Sequence, residues 1–286
     1  MGVISTIEAK CKDCYKCLRS CPVKSIKIVQ VQSGDLAAKV IDDLCIIDGE
    51  CVRQCPQNAK RVRDDTGTVK ALLRRKASVV VSLAPSFVAG LPVTRPLGLV
   101  AALKRLGFTH VAETPTGASL VAAKHRELVN AQSHLVISTA CPVAVNLVER
   151  HHPQALPYMA PLVSPMVAHA RFMKKRYPGS KVVFIGPCFG KKAEADTDDR
   201  GSVDAVLTYV EIWRWLKEAG IDPESLPDAE FDGPDPGVAR LFPIDGGLAR
   251  TAALETSVGS QGVAIVSGME DCMEFLAAVA AGSPVL

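Results

Sequence analysis

Cysteine spacing in the first 56 residues constrains this chain more than any other feature of its sequence. Four cysteines stand in a tight run, separated by two or three residues and ending before a proline: Cys11, Cys14, Cys17 and Cys21-Pro22. A shift of 34 residues reproduces the pattern as Cys45, Cys51 and Cys55-Pro56. The same shift takes Cys14 to Asp48, where a carboxyl replaces a thiol. The region is therefore an internal duplication with one altered position.

This spacing resembles the runs of bacterial two-cluster ferredoxins, in which three close thiolates hold one iron–sulfur cluster and the fourth cysteine ligates the other. The resemblance predicts two crossed ligand sets. They are Cys11, Cys14, Cys17 and Cys55 for the first cluster, and Cys45, Asp48, Cys51 and Cys21 for the second. Because a carboxylate is a harder ligand than a thiolate, we expect iron to be held less firmly at Asp48. The first cluster is expected to be 4Fe–4S, and the second either 4Fe–4S with an Asp ligand or 3Fe–4S.

Disulfide bonds or a zinc site are the alternative uses of so many cysteines. Disulfide frameworks are typical of small secreted domains, and the N-terminal residues lack the basic start and apolar run of a signal peptide. Zinc sites usually bring Cys pairs, or Cys with His, at wider separation, and no His occurs in the first 100 residues. The spacing favours iron–sulfur binding, which indicates a reducing, cytoplasmic location.

Length and composition indicate roughly two globular domains. The 286 residues are 48% hydrophobic and 22% charged, which is ordinary for such domains. The net charge of +3 gives no reason to expect a nucleic-acid partner, and no apolar stretch has the length of a membrane span. We expect an α+β ferredoxin-like module at residues 1–63, a linker at 64–77 and an α/β domain at 78–286. Within the first module, residues 26–29 and 39–41 are expected to form a hairpin.

Segments rich in β-branched residues alternate with helical segments from residue 78 onward, which predicts a mostly parallel sheet covered by helices. The strand candidates lie at 78–83, 109–112, 135–139, 181–185, 203–207 and 262–266. Cys141 and Cys188 each follow one of these candidates, at the edge where open α/β sheets bind ligands. A small buried thiol is the alternative for both, and Cys272, in a helical segment, is expected to be a core residue.

Two short motifs in the second half resemble active-site motifs of the iron-only (FeFe) hydrogenase family. Residues 138–142, Ser-Thr-Ala-Cys-Pro, resemble the family's first motif, Thr-Ser-Cys-Cys-Pro. Residues 187–194, Pro-Cys-Phe-Gly-Lys-Lys-Ala-Glu, resemble the second, Met-Pro-Cys-x-x-Lys-Lys-x-Glu. Residues 145–149, 164–166 and 246–247 fit the family as well, so the resemblance extends over essentially the whole chain. Within the family it points to sensory or uncharacterised branches that are fused to a two-cluster ferredoxin.

The resemblance implies roles for several residues of the α/β domain. Cys141 and Cys188 match cysteines that ligate the 4Fe–4S part of the H-cluster, which is joined to a two-iron centre carrying CO and cyanide. Lys191 matches a lysine that donates to one cyanide, and a buried ammonium needs such an anionic partner. Lys192 is expected at the surface instead. Pro85-Ser86 matches the loop that hydrogen-bonds the other cyanide.

Several departures from the family pattern bear on activity. Ala140 stands where the family has the cysteine that passes protons beside the open iron, and a methyl group cannot exchange a proton. Gly186 replaces the methionine of the second motif and is expected to leave the site roomier, and residues 121–125 carry no carboxylate for a proton relay. The family's third motif, which supplies the last two cysteine ligands, does not occur in this sequence. The sequence is therefore either a fragment or one in which the site has been abandoned.

These features predict an iron–sulfur protein that relays electrons between its ferredoxin module and an H-cluster-like site. Slow or sensory chemistry with H2 and protons is expected only in a longer parent chain, with a redox partner such as a ferredoxin-like or signalling domain. The main alternative is a non-catalytic sensor or scaffold that uses the hydrogenase fold to bind a partner. A further alternative is a plain ferredoxin whose second domain does unrelated chemistry.

Overall fold

The computed structural model describes residues 2–75, 78–131, 134–254 and 262–282. The chain divides into two compact units, each built from separate stretches of the sequence. The first contains the described residues of 1–63, 141–159 and 266–286, and the second those of 64–140 and 160–265. Among the described helices, none combines the length and apolar character that crossing a membrane requires.

Short strands and helices alternate along both units. The strands are β1 (Ile4–Thr6), β2 (Ile26–Gln30), β3 (Leu36–Val40), β4 (Lys60–Val62), β5 (Val79–Leu83), β6 (His110–Glu113), β7 (Lys181–Ile185) and β8 (Ala205–Leu207). The α-helices are α1 (Lys16–Ser20), α2 (Glu50–Arg53), α3 (Thr66–Arg74), α4 (Phe87–Gly90), α5 (Pro96–Arg105), α6 (Pro115–Ala131), α7 (Pro142–His151), α8 (Pro165–Arg176), α9 (Gly190–Thr197), α10 (Tyr209–Glu218), α11 (Gly247–Thr251) and α12 (Met269–Ala280). Short 3-10 helices lie at Glu8–Lys10, Pro153–Tyr158, Pro223–Ser225 and Gly237–Leu241.

The first unit shows the duplication in its backbone. Strands β2 and β3 form the predicted antiparallel hairpin, and β1 pairs antiparallel with β4. Helices α1 and α2 begin 34 residues apart in the sequence, and each carries the third cysteine position of its run, Cys17 or Cys51. The expected α+β character of the ferredoxin-like module is confirmed in this outline.

Helix α7 also belongs to the first unit, because its polar side chains bind carbonyl groups of the loop that precedes Asp48. Asn146 donates to the carbonyl oxygen of Ile46 at 3.2 Å. The Arg150 guanidinium donates to the carbonyl oxygens of Asp42 and Cys45. Backbone carbonyls in an irregular loop have no strand partner, so these side chains satisfy them. Helix α7 therefore lies in the first unit of the structure, although its residues fall within the predicted domain at 78–286.

Part of the predicted linker at 64–77 is helical and packs into the second unit. Residues 66–74 form α3, and Val69 of that helix lies in the hydrophobic core of the second unit. The backbone N–H of Asp65 donates to the Glu211 carboxylate at 2.8 Å. A helix with one apolar face gains stability by burying that face, which a free linker cannot do. Lys76 and Ala77 lie outside the described residues.

The second unit is built on a parallel four-stranded sheet with the strand order β6-β5-β7-β8. The central strands β5 and β7 are apolar and almost fully buried, as expected when helices cover both faces. Helix α8 packs against β5 and β7, and α5 packs against β6. The predicted mostly parallel sheet covered by helices is confirmed for this unit.

Two predicted strands do not form. Residues 135–139 are only partly buried and are held outside the sheet by single contacts: Ala160 donates its N–H to the carbonyl of Ile137 at 2.8 Å, and the Thr139 hydroxyl donates to the carbonyl of Leu162 at 2.7 Å. Residues 262–266 are described and also lack strand structure. An apolar run becomes a strand only where another strand supplies ladder partners, and neither run pairs with the sheet β6-β5-β7-β8.

A buried histidine connects helix α8 to the sheet. His169 is fully buried, and its Nδ1 lies 2.7 Å from the hydroxyl of Ser82, which in turn lies 2.8 Å from the hydroxyl of Thr114. A Cβ at Gly117 would come within 2.6 Å of the His169 backbone and side chain, so the glycine permits α6 and α8 to approach closely. Burial lowers the pKa of His169 to about 4.

We expect His169 to make the second unit sensitive to acid. The unfolded chain binds a proton at this histidine below its ordinary pKa of 6.5, whereas the folded chain binds one only near pH 4. Stability is therefore retained above pH 6.5 and is lost as the pH falls toward 4, by up to about 3 kcal/mol from the pKa difference. Urea unfolding of a His169→Gln variant should show a flatter pH dependence over this range. A variant of the exposed His134, His134→Gln, should keep the parental slope, and equal slopes in all three proteins would contradict the assignment.

Candidate functional site

One cavity of the first unit brings together cysteines from both copies of the duplication. Its walls include the four cysteines predicted for the first cluster: Cys11, Cys14, Cys17 and Cys55. Cys17 is buried, whereas Cys14 is exposed and marks the solvent side of the cavity. Among the described residues, no three His, Cys, Asp or Glu side chains converge as they would around a single metal ion. Four thiols around one space match the number of cysteine ligands that an iron–sulfur cluster takes.

The second predicted set also lies within mutual electrostatic range. Cys21, Cys45 and Cys51 are buried, and Asp48 is exposed. Burial raises the pKa of Cys45, and the neighbouring Asp48 and Cys21 raise it further. Burial also raises the pKa of the Cys51 thiol to about 12, with Cys45 and Asp48 contributing in the same direction. Because iron binds the thiolate, cluster assembly must release these protons.

The backbone of the two cysteine loops is strained in matching places. Asp13, Tyr15 and Lys24 have positive φ angles of 39°, 58° and 52°. Their counterparts 34 residues later also have positive φ angles: Ile47 (63°), Gly49 (81°) and Asn58 (48°). Positive φ is unusual for non-glycine residues, above all for a β-branched one, and it persists where the surroundings require it.

Hydrogen bonds to cysteine sulfur follow the same duplication. The backbone N–H of Ala59 donates to Cys55 Sγ at 3.2 Å, and the backbone N–H of Ser25 donates to Cys21 Sγ at 3.3 Å. The Ser25 hydroxyl adds a second contact to Cys21 Sγ, also at 3.3 Å, which alanine at position 59 cannot supply. Such bonds orient sulfur ligands and tune the potential of a bound cluster. Strained loops, N–H donors to cysteine sulfur and four thiols around one cavity together fit an iron–sulfur cluster.

The carboxyl edge of the parallel sheet carries several residues that the sequence singled out. Pro85-Ser86 follows β5 and Cys188 follows the adjacent strand β7, so the structure places both at this edge. The Ser86 hydroxyl lies 2.8 Å from the hydroxyl of Tyr209, which follows β8 and also donates to the carbonyl of Ala84 at 3.2 Å. Burial raises the pKa of Tyr209 to about 12, so this phenol stays protonated. The sequence analysis missed Tyr209, although its position after a strand was a usable signal.

Lys191 connects the two hydrogenase-like motifs within the second unit. Its Nζ donates to the Glu194 carboxylate at 2.7 Å and lies 3.4 Å from the carbonyl oxygen of Ala140. The ammonium is therefore nearly buried, as predicted, and is balanced by a carboxylate from the same helix. Cys141 follows Ala140 and stands as an exposed residue at the N-cap of α7 in the first unit.

The prediction that Lys192 lies at the surface is wrong. Lys192 is fully buried, and its Nζ donates at 3.0 Å to both Asp65 and Glu211 and at 2.6 Å to the carbonyl of Val206. Glu211 also accepts from the backbone N–H and hydroxyl of Thr208 in a capping box at the start of α10. One ammonium thus joins α9, which follows the second motif, to the chain around α3 and α10.

The expectation of a roomier site at Gly186 is also wrong. A Cβ at this position would come within 2.7 Å of the Phe184 ring and 3.0 Å of the Ala84 methyl group. The Phe184 side chain occupies the space beside Gly186. Cys272 likewise departs from its predicted place in the core, because its thiol is only half-buried on α12. Burial raises the pKa of Cys272, and the neighbouring Cys141 thiolate raises it further.

Two family models match this chain. One, for the C-terminal domain of the iron-only hydrogenase large subunit, matches residues 77–284. The other, for a 4Fe–4S dicluster domain, matches residues 10–59. The chain belongs to the iron-only hydrogenase large-subunit family.

This chain is similar to proteins of two kinds, hydrogenases and iron–sulfur assembly proteins. The NADP-reducing hydrogenase subunit HndD of Solidesulfovibrio fructosivorans is 28% identical over 295 residues, which cover 87% of this chain and 50% of the relative. The cytosolic iron-sulfur assembly component 3 of Mus musculus is 26% identical over 222 residues, or 66% of this chain and 47% of the relative. A variant FeFe-hydrogenase structure from Chlamydomonas reinhardtii is 26% identical, with a TM-score of 0.56 over 73% of this chain and 62% of that chain. The chain thus spans about half the length of these two curated relatives.

The residues of this hydrogenase-family chain do not complete a set for the H-cluster. Two of the four cysteine positions that the family resemblance implies have counterparts here, Cys141 and Cys188. Pro85-Ser86 follows β5 and Lys191 lies at the start of α9, but two thiolates cannot replace four. No reaction step through an H-cluster follows from these residues.

We expect the buried Lys192 group to be the main electrostatic support of the second motif. A Lys192→Met substitution removes the cation shared by two buried carboxylates, which should lower the free energy of unfolding by about 3–5 kcal/mol. Lys124→Met, which breaks only the exposed ion pair with Glu127, should change it little. Urea unfolding measures both variants, and equal small losses would contradict a structural role for Lys192.

Proposed function

We propose that this chain is an iron–sulfur electron-transfer protein whose ferredoxin-like module relays electrons between a redox partner protein and an H-cluster-like site. The observation that carries the proposal is the cavity lined by Cys11, Cys14 and Cys17 together with Cys55 from the other copy of the duplication. Four thiols from two copies around one space are what crossed ligation of two clusters requires.

The contacts of the first unit support a direction for this relay. Cys14 is exposed, so the first cluster has a solvent edge at which a partner protein can exchange electrons. The loop of the second set lies against α7, through Asn146 to Ile46 and Arg150 to Cys45. Cys141 immediately precedes that helix. The second cluster is therefore the one that would pass electrons toward Cys141.

Hydrogen chemistry belongs to this proposal only for a longer parent chain that supplies the remaining cysteine ligands. An H-cluster bound there would supply the iron centre at which protons and H2 interconvert. The residues of this chain would bind and orient it: Cys141 and Cys188 as thiolate ligands, and Lys191 as an ammonium donor. Ala140 cannot exchange a proton, so turnover should be slow or the site sensory.

A non-catalytic sensor or scaffold is the second candidate, and one contact favours it. Lys191 already has a carboxylate partner in Glu194, so its charge is balanced without a cyanide ligand. The similarity to an iron–sulfur assembly component agrees with a role other than hydrogen turnover. Infrared spectra of the anaerobically matured parent protein separate the candidates, because CO and cyanide bound to iron absorb where protein does not. Such bands support the relay to an H-cluster-like site, and their absence supports the scaffold.

The crossed ligand sets give the sharpest test of the electron carrier. In anaerobically reconstituted protein, Cys55→Ser should weaken the same electron paramagnetic resonance signal as Cys11→Ser, although these residues belong to different copies. Cys21→Ser should instead weaken the signal affected by Cys45→Ser. Each change should also lower the iron content, because an oxygen ligand holds cluster iron less well than a thiolate does.

Cys272→Ser is the matched control and should leave the iron content and both signals unchanged. If Cys21→Ser and Cys11→Ser remove the same signal, ligation is not crossed and the assignment of both sets is wrong. If the unsubstituted protein takes up zinc but forms no iron–sulfur chromophore, the proposed function itself fails.

A further inference from the structure

A buried lysine lines the cavity that holds the first set of cysteines. Lys60 begins β4 and is only 6% exposed. It shares the cavity wall with Cys11, Cys17 and Cys55. A fully solvated lysine would need no explanation, but an ammonium inside a cavity of thiols does.

The immediate partners of Lys60 are neutral. Its Nζ donates to the hydroxyl of Thr6 at 2.8 Å and to the carbonyl oxygen of Ala38 at 2.7 Å. These contacts hold the ammonium from two strands. Thr6 lies opposite Lys60 in the β1–β4 pair, and Ala38 belongs to β3. Within the described part of the chain, no carboxylate forms an ion pair with it. A buried charge without a counter-charge is strongly unfavourable, so the anion should come from whatever fills the cavity.

The charge of Lys60 acts on cysteines of both sets. Burial raises the pKa of Cys17 and of Cys51, and the Lys60 ammonium opposes that rise at both thiols. At Cys55, burial is outweighed by backbone N–H donors and by Lys60, so the pKa is lowered. Lys60 therefore lies within electrostatic reach of ligands of the first cluster and of at least one ligand of the second.

The duplication shows that this cation belongs to one copy only. The residue 34 positions before Lys60 is Ile26, which begins β2 and is also buried. The positive charge is thus not a requirement of the repeated strand. It is an addition to one side of the module, on the wall that faces Cys17 and Cys55.

We propose that Lys60 is the internal counter-ion of the clusters and raises their reduction potentials, most strongly that of the cluster held by Cys11, Cys14, Cys17 and Cys55. This inference rests on the proposed electron-transfer function. Each cluster accepts one electron from a low-potential one-electron donor and gains one negative charge, with no bond formed or broken and no proton taken up. A fixed ammonium beside the cluster stabilises the reduced form more than the oxidised form, and net charge is one of the factors that set cluster potentials.

The test is a redox titration of the anaerobically reconstituted full chain, followed by electron paramagnetic resonance, for the parent and three variants. Lys60→Met removes the charge and should shift the midpoint potential of the first cluster downward. Lys60→Arg keeps the charge and should stay near the parental value. Lys39→Met is the matched control, since it removes an exposed lysine of the same unit that pairs with Glu8. It should shift the potential less than Lys60→Met does.

Each outcome bears on the counter-ion role. Equal shifts in Lys60→Met and Lys39→Met, or equal shifts in Lys60→Met and Lys60→Arg, would overturn it. If Lys60→Met loses its iron while Lys60→Arg retains it, the charge is needed to hold the cluster, which supports the role. Loss of iron in both variants would overturn the counter-ion role and indicate that the Lys60 side chain is needed for packing instead. Failure of the parent protein to form clusters refutes the proposed function, whereas clusters with an unshifted potential refute only this inference.

Discussion

Sharing of cysteines between two copies of one loop is the constraint on which the first unit depends. Cys55 closes a cavity whose other thiols, Cys11, Cys14 and Cys17, come from the first copy. Because the fourth thiol of this cavity comes from the second copy, the antiparallel pairs β1–β4 and β2–β3 must hold the copies in register. The backbone of both cysteine loops is strained, with positive φ angles at the corresponding residues Asp13 and Ile47. A unit of this size has a small core, and bound clusters add the stabilisation that such cores lack.

The asymmetries between the copies are more informative about function than the symmetry. Asp48 replaces a thiol, Ser25 adds a hydroxyl contact to Cys21 where the other copy has Ala59, and Lys60 adds a buried charge where the other has Ile26. Each difference changes the charge or hydrogen bonding around the cysteines, and both are factors that set the potential of a bound cluster. In the proposed electron relay, the two clusters would therefore have different chemical surroundings.

Local chemistry was readable from the sequence, whereas distant pairing was not. The grouping of Cys11, Cys14, Cys17 and Cys55 around one cavity, the hairpin around Gly34 and the strand at Lys181–Ile185 follow from spacing and side-chain type. Burial of Lys192 depends on Asp65 and Glu211, which lie far away in the sequence, so no local pattern could reveal it. Residues 135–139 and 262–266 have strand-like composition, but strand formation depends on a partner that the sequence does not specify. The space beside Gly186 is occupied by the Phe184 ring, and the orientation of that ring cannot be predicted from the sequence.

Occupation of the duplicated module by two clusters is the central claim, and native mass spectrometry of the anaerobically purified chain tests it most directly. The expected mass exceeds that of the polypeptide by one 4Fe–4S cluster and a second cluster of three or four irons, with the thiols of both sets deprotonated. A polypeptide that carries zinc, a single cluster, or disulfides among Cys11, Cys21, Cys45 and Cys55 would contradict it.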